Sequence, residues 1–207
     1  MVRILLVDDH AVVRLGIRAI LEDGLHGVEV SEAGSGDQAL AALEQPFDAV
    51  VLDLSMPGRS GIDLLAEIKH RWPKLPVLIM SLHPEEHFAV RALRAGASGY
   101  LTKAAAPEAL IDAVQKVTRG GKYISQAVAE RMASDLGGRA SVPHERLSDR
   151  EFEVMRGIAE GSTVSEIALR MHLSVKTVST YRTRLLDKMG IKTNAELTRY
   201  ALQNGLV

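Results

Sequence analysis

Arg3-Ile4-Leu5-Leu6-Val7-Asp8-Asp9 decides how the first half of the chain reads. A short aliphatic run that stops abruptly at two acids fits a strand covered on both faces better than an amphipathic helix. The pattern returns at Val28–Ala33, Ala49–Leu52, Val77–Met80 and Gly99–Leu101, each run short and bounded by charge, Gly or Pro. Between the runs, apolar residues recur at helical spacing, as at Val12 and Leu15 or Leu40 and Leu43. This predicts helices near 11–22, 36–44, 61–71, 85–95 and 107–119. Alternating strand and helix over residues 1–121 predicts an α/β unit, a flavodoxin-like (βα)5 parallel sheet with helices on both faces.

In such sheets ligands sit beyond the carboxyl ends of the strands, so the residues just after each strand carry the most information. Asp8 and Asp9 follow the first strand, Asp53 the third and Ser81 the fourth, and Lys103 lies just past the fifth. A lone acid at a strand end is more often a helix cap than a functional group. Here the fold predicts that all five converge on one edge. Crowded carboxylates repel and favour a divalent cation, and a hard oxygen site of this kind suits Mg2+. A carboxylate there can act as a nucleophile toward a phosphoryl group, with Ser81 and Lys103 hydrogen-bonding and neutralising its oxygens. His10 is a candidate metal ligand, but its place at the start of a helix favours a positioning role; His83 borders the site and is a candidate for tuning dephosphorylation. Gly34-Ser35-Gly36 is too short for a phosphate loop, and Trp72-Pro73 ends a helix.

The chain of 207 residues is 46% hydrophobic and 25% charged, ordinary for globular protein and long enough for two small domains. It has no cysteine, which excludes disulfides, zinc ribbons and thiol chemistry. No apolar run reaches membrane length, and the apolar start is too short for a signal peptide. A cytoplasmic protein without membrane association is expected. The net charge of −1 is unevenly spread: residues 1–121 carry 12 Lys/Arg against 16 Asp/Glu, whereas 144–207 carry 10 against 8. Different partners for the two halves follow. A connector is expected at 122–143, with a helix at Gln126–Leu136 and a flexible stretch from Gly137 to Pro143.

Residues 144–207 read as four helices without strands. Ser148 with Glu151, and Thr163 with Glu166, are capping boxes. Ser174 precedes a helix over Val175–Met189 that Gly190 stops, and Asn194 caps the last helix. A plain dimerisation domain would use Leu147, Val154, Ile158, Ile167, Ala168, Leu173, Val178, Leu185 and Leu186 as its core. The polar side of helix 175–189 argues for more, because it presents Lys176, Ser179, Thr180, Arg182, Thr183 and Arg184. Small hydroxyl residues approach base edges closely while flanking bases hold phosphates. From Arg170 to Lys192 there are six bases and one acid.

Asp8-Asp9, Leu52-Asp53-Leu54-Ser55-Met56-Pro57-Gly58, Ser81, Gly96-Ala97 and Gly99-Tyr100-Leu101-Thr102-Lys103 resemble the receiver domain of two-component response regulators. The resemblance implies a phosphoprotein: Asp53 accepts a phosphoryl group from a sensor histidine kinase. It also implies that Asp8, Asp9, Asp53 and the Ser55 main-chain carbonyl hold Mg2+, and that Ser81 and Tyr100 form a switch pair. Many receivers have Pro after the lysine, whereas this chain has Ala104. Leu147-Ser148-Asp149-Arg150-Glu151, Glu166-Ile167-Ala168 and Lys176-Thr177-Val178 resemble the LuxR-type helix-turn-helix, so the whole chain is similar to NarL/FixJ-type regulators. Its ending, Glu196-Leu197-Thr198 with Gly205-Leu206, is similar to the branch that includes BvgA and GacA. This implies base reading by Ser179, Thr180 and Thr183, and phosphate contacts from Lys176, Arg182 and Arg184. The implied partners are double-stranded promoter DNA, a second copy of the chain once phosphorylated, and RNA polymerase, the whole serving transcription regulation. Many members have Lys at 179 and His at 181, where this chain has Ser179 and Tyr181.

Two rival readings remain at this point. An Asp-nucleophile phosphatase would need a second acid two residues on, and Asp53-Leu54-Ser55 lacks it. A phosphorylation-independent DNA-binding regulator would keep the receiver only as a dimerisation module, and the five intact polar positions argue against that.

Overall fold

A computed structural model describes residues 1–54, 56, 61–82, 85–136 and 143–207. Ser55 and His83 therefore lie outside the described residues. The chain packs as two compact units, Met1–Ser134 and Asp135–Val207.

In the first unit, strands β1 (Val2–Val7), β2 (Val28–Ala33), β3 (Ala49–Asp53), β4 (Val77–Ser81) and β5 (Gly99–Thr102) alternate with helices α1 (Ala11–Gly24), α2 (Gly36–Ala42), α3 (Gly61–Arg71), α4 (Glu85–Arg94) and α5 (Pro107–Thr118). The strands pair in parallel in the order β2-β1-β3-β4-β5. The chain reverses its direction of travel across the sheet between β1 and β3, which opens a crevice at their carboxyl ends. β1, β3 and β4 are aliphatic because both sheet faces are covered. Ile4, Leu6, Val51, Leu78 and Met80 pack with Ile17 and Leu21 of α1 and Leu110, Val114 and Val117 of α5. Side chains alternate along a strand, so Leu5, Val50, Leu52 and Ile79, all buried, turn to the opposite face. Each such aliphatic side chain contributes about 1.5–3 kcal/mol by burial.

Two features refine the sequence reading. Asp53 and Ser81 are the last residues of β3 and β4 rather than the first residues beyond them. Val12 and Leu15 mark a helix correctly but are 82% and 63% exposed, because the buried stripe of α1 runs through Ile17 and Leu21.

Beyond α5 the chain returns along the edge of β5. The Tyr123 amide donates to the Ser98 carbonyl at 2.9 Å, and the Tyr100 amide donates to the Tyr123 carbonyl at 3.2 Å. Gly99 permits this approach, since a Cβ there would lie 2.7 Å from the Tyr123 carbonyl oxygen and 2.9 Å from Leu78. Helix α6 (Gln126–Leu136) follows.

The second unit has a 3₁₀ turn, Pro143–Arg146, and helices α7 (Asp149–Ala159), α8 (Val164–Arg170), α9 (Val175–Met189) and α10 (Asn194–Gln203). Helix α7 touches the other three. Its Phe152, Val154 and Met155 are buried with Ile167, Val178, Leu185 and Leu197. Capping boxes start α7 and α8 at Ser148 and Thr163, and Gly190 ends α9 in the left-handed conformation (φ 67°). The cap of α10 is Thr193, not Asn194. Thr193 and Glu196 satisfy each other's backbone amides, which leaves the Asn194 side chain to accept from Arg182 at 2.8 Å. The turn between α8 and α9 holds His172 at φ 53°, the one non-glycine residue with positive φ among those described.

Candidate functional site

The acids meet at the crevice between β1 and β3. Asp8 and Asp53 are almost wholly buried. Lys103 arrives from the end of β5, its amide held by the Ser81 carbonyl at 2.8 Å. Its ammonium donates to Asp8 Oδ2 at 2.6 Å and to Asp53 Oδ2 at 2.7 Å. Burial by itself would depress the Lys103 pKa, but the two carboxylates offset this and hold it above the ordinary lysine value. Ligand atoms of Asp8, Asp9, His10 and Asp53 lie within 4.8 Å of one another. Three carboxylates against one ammonium leave two negative charges, which suits a divalent cation. Asp9 Oδ1 is buried without an aligned hydrogen-bond donor, and His10 Nδ1 lies 3.0 Å from it. Arg14 braces the site by donating to the Asp8 carbonyl at 2.7 Å and to Glu32 at 3.0 Å. Together with Arg18 it holds the Glu32 carboxyl below the usual range.

The second unit presents helix α9. Lys176, Ser179, Thr180, Thr183 and Arg184 are exposed and Arg182 is half-buried. The Thr180 and Thr183 hydroxyls donate back to the carbonyls of Lys176 and Ser179, at 3.0 and 3.1 Å. They must rotate to reach any external acceptor. The basic stripe is less uniform than its sequence suggests. Lys188 turns inward to Glu151 at 2.7 Å, and Arg170 pairs with Glu160 at 3.3 Å. Burial would raise the Glu151 carboxyl, yet Lys188 and the Ser148 donors hold it below the usual range.

Residues 4–115 match the response regulator receiver domain family, and residues 145–201 match the bacterial regulatory proteins of the luxR family. The chain is a response regulator. It is 40% identical over 210 residues to the transcriptional activator protein ExaE of Pseudomonas putida, covering 99% of this chain and 97% of that protein. It is 37% identical over 210 residues to the response regulator UvrY of Escherichia coli K12, covering 100% and 96%. Among solved structures, RcsB from Salmonella enterica serovar Typhimurium, bound to promoter rprA in the presence of phosphomimetic BeF3-, superposes with a TM-score of 0.64. That match is 28% identical and covers 97% of this chain and 98% of RcsB. The response regulator belongs to the branch of GacA and UvrY, with a receiver and a LuxR-type helical domain.

Within this response regulator Ser81 is fully buried beside Lys103, and Tyr100 is fully buried in β5 opposite Ile79. Among the described residues no peptide bond is cis, the Lys103–Ala104 bond included. The apolar face of α10 is used within the unit. Leu197 and Ala201 are fully buried in a helix packed on α7, and the Tyr200 hydroxyl contacts His144 Nδ1 at 2.8 Å. Sequence reasoning missed the Glu151–Lys188 pair, whose two members belong to separate motifs. Among the described residues no helix is long and apolar enough to cross a membrane.

Proposed function

We propose that this response regulator is a cytoplasmic transcription factor switched by phosphorylation of Asp53. The observation that carries the reading is the Lys103 ammonium shared between Asp8 and Asp53 beside the unsatisfied Asp9 oxygen. Asp8, Asp9, Asp53 and the Ser55 carbonyl would hold Mg2+, which when bound supplies positive charge against an incoming phosphoryl group. The Asp53 carboxylate attacks phosphorus, an oxygen–phosphorus bond forms, and the nitrogen–phosphorus bond of the kinase phosphohistidine breaks. Lys103 and the Ser81 hydroxyl then hold the phosphoryl oxygens. Ser81 and Tyr100 form the switch pair. The chain needs no turnover of other substrates; its own chemistry is gain and loss of one acyl phosphate.

The receiver is assigned to residues 1–121, the connector to 122–143 and the DNA-binding domain to 144–207. Tyr123, at the start of the connector, still pairs with β5. Helix α9 enters the major groove of promoter DNA, with Ser179, Thr180 and Thr183 at base edges and Lys176, Arg182 and Arg184 at phosphates. One recognition helix touches few base pairs, so a phosphorylation-favoured homodimer on paired half-sites supplies affinity, and RNA polymerase is the downstream partner. By linkage, specific DNA favours the phosphorylated dimer in return. The test treats the full chain with acetyl phosphate, with and without Mg2+, and follows mass, sedimentation and DNA binding together. Phosphorylated and unphosphorylated chains that bind DNA equally, at the same oligomeric state, refute the coupling.

A further inference from the structure

Thr180 and Thr183 stand on the exposed side of α9, at a spacing that makes them neighbours on one helix face. Each hydroxyl is already engaged. Thr180 Oγ1 lies 3.0 Å from the Lys176 carbonyl oxygen, and Thr183 Oγ1 lies 3.1 Å from the Ser179 carbonyl oxygen. A carbonyl only accepts, so each hydroxyl is the donor and its one proton is committed. Bonds of this kind, running four residues back along a helix, turn the threonine oxygen onto the preceding turn. The Cβ then has one other heavy substituent to offer outward, the γ-methyl. α9 thus presents two methyl groups at Thr180 and Thr183, about 4.5 Å apart along its axis. Ser179, also exposed, has no methyl to offer.

We propose that Thr180 and Thr183 read thymine by methyl contact, not by hydrogen bonding, so that each selects the C5-methyl group of one base in the half-site. The inference rests on the reading of α9 as the major-groove helix with these residues at base edges. In the major groove thymine is the base that displays a methyl group, and the threonine methyl is a matching apolar surface. A hydroxyl that left its carbonyl for a base edge would exchange one hydrogen bond for another and gain little. The methyl gains burial and gives nothing up. For α9 lying along the groove, an axial step of about 4.5 Å exceeds the base-pair rise of about 3.4 Å, so the two methyls meet different base pairs.

The experiment selects a preferred duplex from a random library with the full chain, phosphorylated by acetyl phosphate. That duplex is then made a second time with deoxyuridine in place of thymine, which removes only the C5 methyls. Both are titrated with the unsubstituted chain, with a chain carrying Thr180→Ser and Thr183→Ser, and with one carrying Thr180→Val and Thr183→Val. Serine keeps the hydroxyl and loses the methyl, whereas valine keeps the shape and loses the hydroxyl. The unsubstituted chain is expected to bind the thymine duplex about tenfold more tightly, on the scale of two buried methyl contacts. The valine chain should retain that ratio, and in the serine chain it should fall below about twofold. A serine chain that keeps the ratio, a valine chain that loses it, or a preferred half-site without thymine overturns the methyl reading. The reading of α9 itself is judged by repeating the library selection with Thr180→Ala and Thr183→Ala together. An altered preferred sequence upholds these residues at base edges, even where the methyl reading has failed. An unaltered one removes them from the base edges, and the methyl inference with them.

Discussion

The two units handle charge in opposite ways. The receiver draws its decisive charges inside: Asp8 and Asp53 are buried, and the Lys103 side chain is 9% exposed. The LuxR-type unit wears Lys176 and Arg184 on the surface, and its deeply buried acid Glu151 closes a capping box and an ion pair. Inside, a charge acts on one partner at short range and resists salt. Outside, each charge is screened within about 8 Å at physiological ionic strength, so many must act together on a polyanion. The receiver gathers its charge into one buried cluster, and α9 spreads its charge over an exposed face.

The strongest attempt to break this contrast removes the nucleophile. Asp53→Ala should abolish labelling by acetyl phosphate, measured by intact mass, while leaving the circular dichroism of both units unchanged. Residual labelling at the same site would falsify the assignment. Next, Lys103→Met leaves Asp8 and Asp53 facing each other without their ammonium. Removing one partner of a buried ion pair costs about 3–5 kcal/mol, and urea unfolding should show a loss of that order for the receiver. Added Mg2+ should restore much of it, because a cation replaces the missing charge.

On the exposed side, Thr183→Ala should cost about 1–3 kcal/mol on the preferred site and little on other sequences. Lys176→Ala should instead weaken all sequences and lower the slope of log affinity against log salt by about 0.9. A site library in which the two variants behave alike would erase the distinction drawn within α9.

Acid sharpens the comparison inside the second unit. The Glu151 carboxyl is held below its unfolded value, so its contribution is present above the unfolded pKa and is lost as pH falls through the lower folded one. Glu151→Gln should flatten that acid limb in thermal melts. The smallest effect is expected at His172, whose positive φ favours glycine. His172→Gly should stabilise by about 0.5–1 kcal/mol, read from the same melts.

The strands were legible because a sheet covered on both faces demands unbroken aliphatic runs, and few other structures do. That reason holds for β1, β3 and β4; the edge strand Val28–Ala33 interrupts its apolar residues with Glu29, Ser31 and Glu32, and Gln126–Leu136 read through helical periodicity. The convergence of Asp8, Asp53 and Lys103 followed from parallel strands ending on one edge. Less legible was anything set by packing between distant segments. Leu197 and Ala201 are apolar whether they face α7 or another chain, and sequence carries no mark of which. Lys188 counts as a base in any charge tally until Glu151 is seen beneath it. At Thr193-Asn194 two good caps stand side by side, and the reciprocal bonds with Glu196 select the first.

The pairing of Tyr123 with the margin of β5 bears on modularity. A strand left open at the border of a sheet is a template for another chain, and proteins commonly blunt such borders. Here the returning segment hems the sheet. A receiver trimmed after Gly121 for grafting onto another output domain would expose β5 and invite edge-to-edge aggregation. A transplant carried through Ser125 would keep its hem and stay soluble.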